Sequence, residues 1–304
     1  MEKWFVMRKG APFQEIAEKF QIHPVIARLI RNRDVTGDEN IQLYLHGTIG
    51  DLYDGMLMKD MYKAVDILQE KIREDKKIRI IGDYDIDGIN ATYILLEGIR
   101  MLGGDVDIDI PDRVKDGYGL NRNLIDRAFD AGVDTIITCD NGIAYGKSLG
   151  MTIIVTDHHE VPYEEAGDEK KYILPPADAV IDPKQEGCDY PFKGLCGAAV
   201  AYKLVETLFN VTGRDAEDVA IATVGDVMDL VDENRIFVKQ GLDMLKRTQN
   251  LGLKALIECT GVKAEQLSSY HIGFVIGPCL NASGRLDTAK RALELLCAKT
   301  KKEA

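Results

Sequence analysis

From residue 12 to residue 75 the apolar positions recur at steps of three and four, in pieces such as QEIAEKF, HPVIARLIRNR and GMLMKDMYKAVDILQEKIREDK. That step is the period of one face of an α-helix, so residues 1–75 are predicted to form a helical N-terminal part. A different pattern follows. KIRIIGD (77–83), DVDIDIP (105–111), TIITCD (135–140), TIIVTD (152–157) and AVIDP (179–183) are short, β-branched runs separated by helical stretches such as ATYILLEGIRMLGG. Strands alternating with helices predict an α/β domain over residues 76–304, a mostly parallel sheet flanked by helices. Beyond residue 194 the pattern turns helical again, in GLCGAAVAYKLVETLF, DAEDVAIATVGDVMDL and RIFVKQGLDMLKRT. HIGFVIGPCLNASGRLDTAKRALELL then leads into a last helix ending in TKKEA. The chain has no internal repeat, low-complexity tract or Pro/Gly/Ser-rich linker.

Ligands of open parallel sheets bind beyond the carboxyl ends of the strands. Four of the five predicted strands finish there in Asp-bearing turns: Asp83 to Asp87, Asp140, Asp157 with His158 and His159, and Asp182. IIGDYDIDG sets Asp83, Asp85 and Asp87 at two-residue steps, with Gly88 permitting a tight turn into the next helix. Three carboxylates so close repel one another unless cations sit among them. A single capping aspartate at a helix N-terminus would be ordinary, but three exceed what capping needs. The stretch also matches the start of an EF-hand loop. A strand precedes it rather than a helix, however, and residues 93 to 96 hold no glutamate where the loop requires one.

Asp140, followed by Asn141 and Gly142, would alone read as a turn former. The adjacent His158 and His159 carry more weight, as two of only five histidines in the chain. At a strand end they turn one ring toward the cleft and hold the other nearby, and imidazole with carboxylates suits manganese, zinc or iron better than calcium. Asp226, in ATVGDVMDL, reads equally as a helix cap and as a ligand. Together these residues could hold two divalent cations, the arrangement that stabilises both oxygens of an in-line phosphoryl displacement.

Composition changes this picture little. The chain is 45% hydrophobic and 29% charged, an ordinary globular balance over 304 residues, enough for two domains or one large one. A formal charge of -12 argues against a surface that is basic all over and counts against DNA as a partner. Bound cations would nevertheless reverse the local sign where a phosphate sits. The six cysteines form no C-x-x-C pair, which disfavours zinc ribbons and disulfide scaffolds and predicts buried, reduced thiols. MEKWFVMRKGAPF lacks the pattern of a secretory signal, and no apolar run reaches about 18 residues, so a soluble cytoplasmic protein is expected.

GDYDIDG, TCDNGI, TDHH, DPKQEGCDYPFKGLCGAAVAYKL, ATVGDVMDL and IGFVIGPCLNASGRL resemble, in order, the motifs of the RecJ family of the DHH phosphoesterase superfamily. HPVIARLIRNRDVT through LYDGMLMKDMYKAVDILQEKI resembles that family's helical preface, so the resemblance covers nearly the whole chain. It implies a 5′ to 3′ exonuclease on single-stranded DNA, acting in repair and recombination with two manganese or magnesium ions, with a helicase or single-strand-binding protein as partner. By motif, Asp85, Asp87, Asp140, His158 and Asp226 are similar to the metal ligands, with Asp87 and Asp140 touching both ions and Asp83 an accessory ligand. His159 would face the scissile phosphate. Arg113, in PDRVKDGYGL, and Asn281, Ser283, Gly284 and Arg285 match segments that grip DNA phosphates. An arginine fork and a Gly-rich turn before a helix suit that task, although Arg113 reads almost as well as a surface ion pair.

Two features depart from the family. Cys279 stands where GPxLNA usually carries a basic residue, which predicts weaker DNA affinity. The chain also stops at TKKEA, where the family continues into a second core domain and an oligonucleotide-binding fold. This predicts a fragment or a short form with a complete metal site and an incomplete cleft wall. Two rival readings remain. Other DHH phosphoesterases, acting on short oligonucleotides, cyclic dinucleotides or pyrophosphate, share the Asp and His pattern but lack the preface and the PYPFKGL segment. A non-catalytic partner-binding DHH module should have lost ligands, whereas every ligand position here is filled.

Overall fold

The computed structural model describes residues 9–111, 122–140, 149–166, 169–209, 215–286 and 289–304, with backbone only at 166, 169 and 283–286. Four helices come first: α1 (Phe13–Phe20), α2 (Pro24–Asn32), α3 (Asp38–His46) and α4 (Met61–Arg73). Met61, Ala64 and Leu68 of α4 are buried in the same core as the following strand, so this helix is fused to the sheet rather than appended to it. Ile30, Ile41 and Tyr44 make a small separate cluster under α2 and α3.

Five strands follow: β1 (Ile78–Ile81), β2 (Val106–Asp109), β3 (Thr135–Cys139), β4 (Thr152–Thr156) and, after a hairpin, β7 (Ala179–Ile181). They form one all-parallel sheet in the order β2-β1-β3-β4-β7. Helices α5 (Ile86–Met101) and α6 (Arg122–Asp130) connect its first strands. Apolar residues lie on both sides of the sheet. Ile78, Ile80, Ile137 and Ile154 face α5 and α7 (Gly197–Phe209), while Ile81, Ile136, Ile153 and Val155 face Leu124, Ile125 and Ala128 of α6. Helix α5 is buried along almost its whole length because sheet, α7 and α8 (Ala216–Gly225) enclose it. The α/β architecture read from the sequence, with helical parts before and after the sheet, is therefore the one observed.

The hairpin β5 (Tyr163–Ala166) and β6 (Glu169–Tyr172) did not emerge from the sequence. It is antiparallel, exposed and rich in Glu and Lys, so it lacks the apolar alternation of a half-buried strand. Helices α9 (Asp232–Leu245) and α10 (Leu251–Thr260) follow, and α11 (Ser269–His271) runs through a π-helical turn at Ile272–Ile276 into α12 (Gly277–Leu286). Together with α13 (Lys290–Leu296) these close over Ile86 and Ile89 at the start of α5. The thiol expectation holds in part. All six cysteines are free, but Cys259 and Cys279 are exposed on helix surfaces and only Cys139 and Cys196 are fully buried. Among the described residues no helix is long and apolar enough to cross a membrane.

Candidate metal centre

The sheet order reverses between β1 and β3, with β2 outside β1 and β4 beyond β3, and such a switch point opens a crevice at the carboxyl ends. Asp83, Asp85 and Asp87 follow β1, and Asp140 follows β3 across that crevice. His158 and His159 follow β4, and Asp226 closes the C-terminus of α8. Donor atoms of Asp83, Asp85 and Asp140 lie within 4.8 Å of one another, as do those of Asp87, His158 and Asp226, and those of Asp140, His158 and His159. All seven positions singled out from the sequence for this site thus converge.

Each carboxylate has its own anchor. Asp85 is the N-cap of α5, its Oδ1 accepting from the backbone N–H groups of Asp87 (3.0 Å) and Gly88 (2.9 Å). The capping role weighed against metal binding is therefore real, but it occupies one oxygen of one aspartate. Asp83 Oδ1 accepts from Tyr84 N–H at 2.8 Å. Asp87 is held from outside its own loop: its Oδ2 and Oδ1 accept from Gly197 N–H (2.6 Å) and Ala198 N–H (2.8 Å), the first amides of α7. Those amides have no partner within the helix and carry its positive end, so they favour a negative charge. A Cβ on Gly197 would sit 3.0 Å from Asp87 Oδ2 and 3.1 Å from Asp140 Cβ, so this close approach depends on glycine. Asp140 adopts φ 60°, a left-handed conformation that aspartate tolerates, and Val227 after Asp226 has φ 58°, where a β-branched residue is strained.

The two histidines divide as expected of neighbours at a strand end. His158 is buried, with Nε2 3.1 Å from Asp140 Oδ1 and 3.3 Å from Asp87 Oδ2. His159 is half-exposed, with Nδ1 2.8 Å from Asp157 Oδ1 and 3.6 Å from Asp140 Oδ1. Asp157 Oδ1 also accepts from the backbone N–H of His158 at 2.7 Å, so one carboxylate fixes both histidines. Asp157 was noted at its strand end in the sequence but given no role in the site. Its place before the two histidines was the available signal, and its hydrogen bonds are what identify it. The α7 amides that cradle Asp87 carried no sequence signal beyond Gly197 itself.

Burial, followed by the neighbouring carboxylates Asp226 and Asp85, raises the Asp87 pKa against the opposing pull of His158 and the Ala198 amide. Asp140 is likewise raised by burial and then by Asp87 and Asp85, and Asp226 is raised chiefly by burial. Asp157 goes the other way: burial would raise it, but the bond to His159 and that ring's charge hold it below the usual range. The same bond raises His159. Buried carboxylates that push one another's pKa values upward are groups that a cation would stabilise. Among the described residues Nδ1 of buried His158 finds no hydrogen-bond partner, while its Nε2 faces acidic oxygens of Asp87 and Asp140. Imidazole with several carboxylates fits manganese, and the carboxylates alone would also suit magnesium.

Arg113 lies outside the described residues. Asn281, Ser283, Gly284 and Arg285 were read as a glycine turn before a helix, and the structure corrects this: all four lie inside α12. The run from Ser269 stays helical through a π-helical turn, so their amides belong to the interior of a helix rather than to its open N-terminus. Asn281 is half-buried, and the side chains of residues 283–286 are outside the description.

The family described as "DHH family, N-terminal domain" matches residues 77–229. The single-stranded-DNA-specific exonuclease RecJ of Bacillus subtilis is 38% identical over 310 residues, which cover 99% of this chain and 38% of that protein. RecJ of Thermus thermophilus in complex with Mn2+ superposes with a TM-score of 0.74 at 28% identity, over 96% of this chain and 41% of that one. A crystal structure of exonuclease RecJ bound to manganese gives a TM-score of 0.69 at 32% identity, over 81% of this chain and 63% of that one. The chain thus spans less than two thirds of each of these relatives.

Proposed function

This chain belongs to the DHH family and is RecJ-like, and on that footing we propose that it hydrolyses phosphodiester bonds, releasing nucleotides 5′ to 3′ from single-stranded DNA. The observation that carries the reading is the convergence of five aspartates and two histidines at the switch point of the sheet. The substrate class is supported by the relatives' name, single-stranded-DNA-specific exonuclease, and the direction rests on the motif resemblance alone.

Asp85, Asp87, Asp140, His158 and Asp226 would hold two divalent ions, with Asp83 as an accessory ligand. Manganese or magnesium there supplies the positive charge that favours in-line displacement at phosphorus. Asp87 and Asp140 lie 3.3 and 3.1 Å from His158 Nε2, and this closeness supports their sharing both ions. Asp157 Oδ1 would accept from His159 Nδ1–H, leaving Nε2–H of the protonated ring to face a scissile phosphate, as hydrogen-bond donor and acid to the leaving oxygen. The positive end of α7 fixes Asp87, so the cluster is set before substrate arrives. Asn281 and Arg285 on α12, with Arg113, would grip the strand, and single-strand-binding protein or helicase would be natural partners.

The test is manganese-dependent digestion of 5′- and 3′-end-labelled single-stranded DNA, with Asp87→Ala and Asp140→Ala as controls. Mononucleotide release from the 5′ end, abolished in both variants, supports the reading. Manganese binding without cleavage of either labelled strand refutes DNA exonuclease activity for this chain.

A further inference from the structure

Beside His159 the structure holds a second concavity, of about 400 Å³, that the metal cluster does not use. Its position follows from strand alternation. Val155 on β4 and Val180 on β7 are register partners, and two residues further on the same face come Asp157 and Asp182. Val155 and Val180 thus make an apolar floor, Asp157, His159 and Asp182 a polar end, and Pro162, Leu174 and Pro176, flanking the β5–β6 hairpin, the apolar sides. Pockets of this size, apolar with a few convergent polar groups, are the usual form of a small-molecule subsite.

Asp182 is the informative member. It is 4% exposed, and its Oδ1 accepts from Lys184 N–H at 2.7 Å, while Oδ2 takes no hydrogen bond from the described residues. Oδ2 is not sealed off by the protein, so a donor on a ligand in the pocket can reach it in place of water. A flat apolar ring carrying an amino group supplies both the surface and the donor. Building on the phosphodiesterase reading above, we propose that this pocket receives the base of the released nucleotide and that Asp182 accepts a hydrogen bond from its amino edge. Cytosine and adenine offer an exocyclic amine at the edge where thymine and guanine present a carbonyl oxygen that a carboxylate repels. Asp182 is thereby a specificity-determining residue: cytidylate and adenylate are favoured over thymidylate.

The experiment is calorimetric binding of dCMP, dTMP and 2-deoxyribose 5-phosphate to the full chain in manganese, with Asp182→Asn and Leu174→Trp variants. dCMP should bind roughly tenfold tighter than dTMP, as expected for one good polar contact at a base edge, and the sugar phosphate should be weakest. Asp182→Asn should level dCMP with dTMP, because an amide can donate to the thymine carbonyl. Leu174→Trp should fill the pocket and bring dCMP to the affinity of the sugar phosphate, leaving that affinity unchanged. If dCMP and the sugar phosphate bind equally well in a manganese-dependent manner, the pocket proposal falls while the phosphodiesterase reading stands. If none of the three binds with manganese, both fall.

Discussion

Lys203 offers the sharpest test of how the N-terminal helices are tied to the α/β body. Its side chain is fully buried on α7, with Nζ 3.0 Å from Glu233 Oε1 on α9 and 2.5 Å from the carbonyl of Tyr53, in the loop between α3 and α4. Glu233, also fully buried, accepts from Tyr53 N–H at 2.9 Å and from Tyr190 Oη–H at 2.6 Å. Lys203→Met keeps the volume and removes the cation, leaving a buried carboxylate with two donors and no counter-charge. Breaking such a pair costs about 3–5 kcal/mol. At about 2 °C per kcal/mol for a chain of this size, the thermal midpoint should fall by roughly 6–10 °C. Combining Lys203→Met with Glu233→Met should cost less than the sum of the two single changes by about 2 kcal/mol. The pH dependence has a definite sign. Burial raises the Glu233 pKa in the folded protein while Lys203 opposes it. A carboxyl raised on folding favours the folded state at low pH, and that contribution is lost as pH climbs through the folded value. Removing Lys203 enlarges the rise, so the deficit of the variant should be greatest near pH 8 and shrink toward pH 5. Scanning calorimetry of the wild-type protein, the two single variants and the double variant decides the matter. A drop below about 2 °C, or a deficit that grows on acidification, would falsify the assignment of this pair as the lock between preface and body.

Four further outcomes are expected. Manganese at a hundredfold excess over its dissociation constant should stabilise the protein by about 2.7 kcal/mol and raise the thermal midpoint by roughly 5 °C; Asp87→Asn should abolish this, and an unchanged shift in the variant would remove Asp87 from the site. Asp157→Asn should leave manganese binding within a few-fold, by calorimetry, while hydrolysis of labelled DNA drops about 10- to 100-fold through loss of His159 orientation; equal loss of binding would make Asp157 a ligand instead. Gly197→Ala forces a methyl against Asp87 and Asp140 and should weaken manganese affinity about tenfold or more with circular dichroism unchanged; wild-type affinity would mean that this contact yields without moving the aspartates. Val227→Gly relieves a strained backbone at an 86% exposed residue and should stabilise the protein by about 1 kcal/mol, read from urea midpoints; destabilisation would show that the valine side chain holds the loop after Asp226.

How much of the fold could be read in advance depended on burial. The five strands of the main sheet were legible because Ile80, Ile137, Ile154 and their neighbours are covered on both faces and leave continuous β-branched runs. β5 and β6 were not, since Glu164, Glu165, Lys170 and Lys171 stand in solvent and their pairing comes from the chain reversal rather than from an apolar face. Asn281 to Arg285 were misjudged for a related reason. Glycine and serine in sequence suggest a turn, but Ile272, Ile276 and Leu280 pack beneath this segment and Gly277 approaches Ile86, so tertiary contact keeps it helical.

The candidate site was legible in its chemistry and illegible in its support. Acidic residues at strand ends announce themselves because nothing about folding requires three carboxylates in five positions. The groups that make them tolerable are dispersed: the amides of Gly197 and Ala198 lie 110 and 111 residues beyond Asp87 and belong to a helix that reads as ordinary core. The formal charge of -12 does not decide the partner, for a related reason. Asp83, Asp87 and Asp140 are nearly inaccessible and pressed against one another, so their charge is concentrated at one point rather than spread as a surface field. A cation at that point would answer this charge where a phosphate must approach, while the distributed negative charge that repels DNA elsewhere would remain. A chain of this kind should therefore depend on its metal for phosphate affinity as well as for chemistry, which is why nucleotide binding measured with and without manganese separates the two roles before any cleavage is scored.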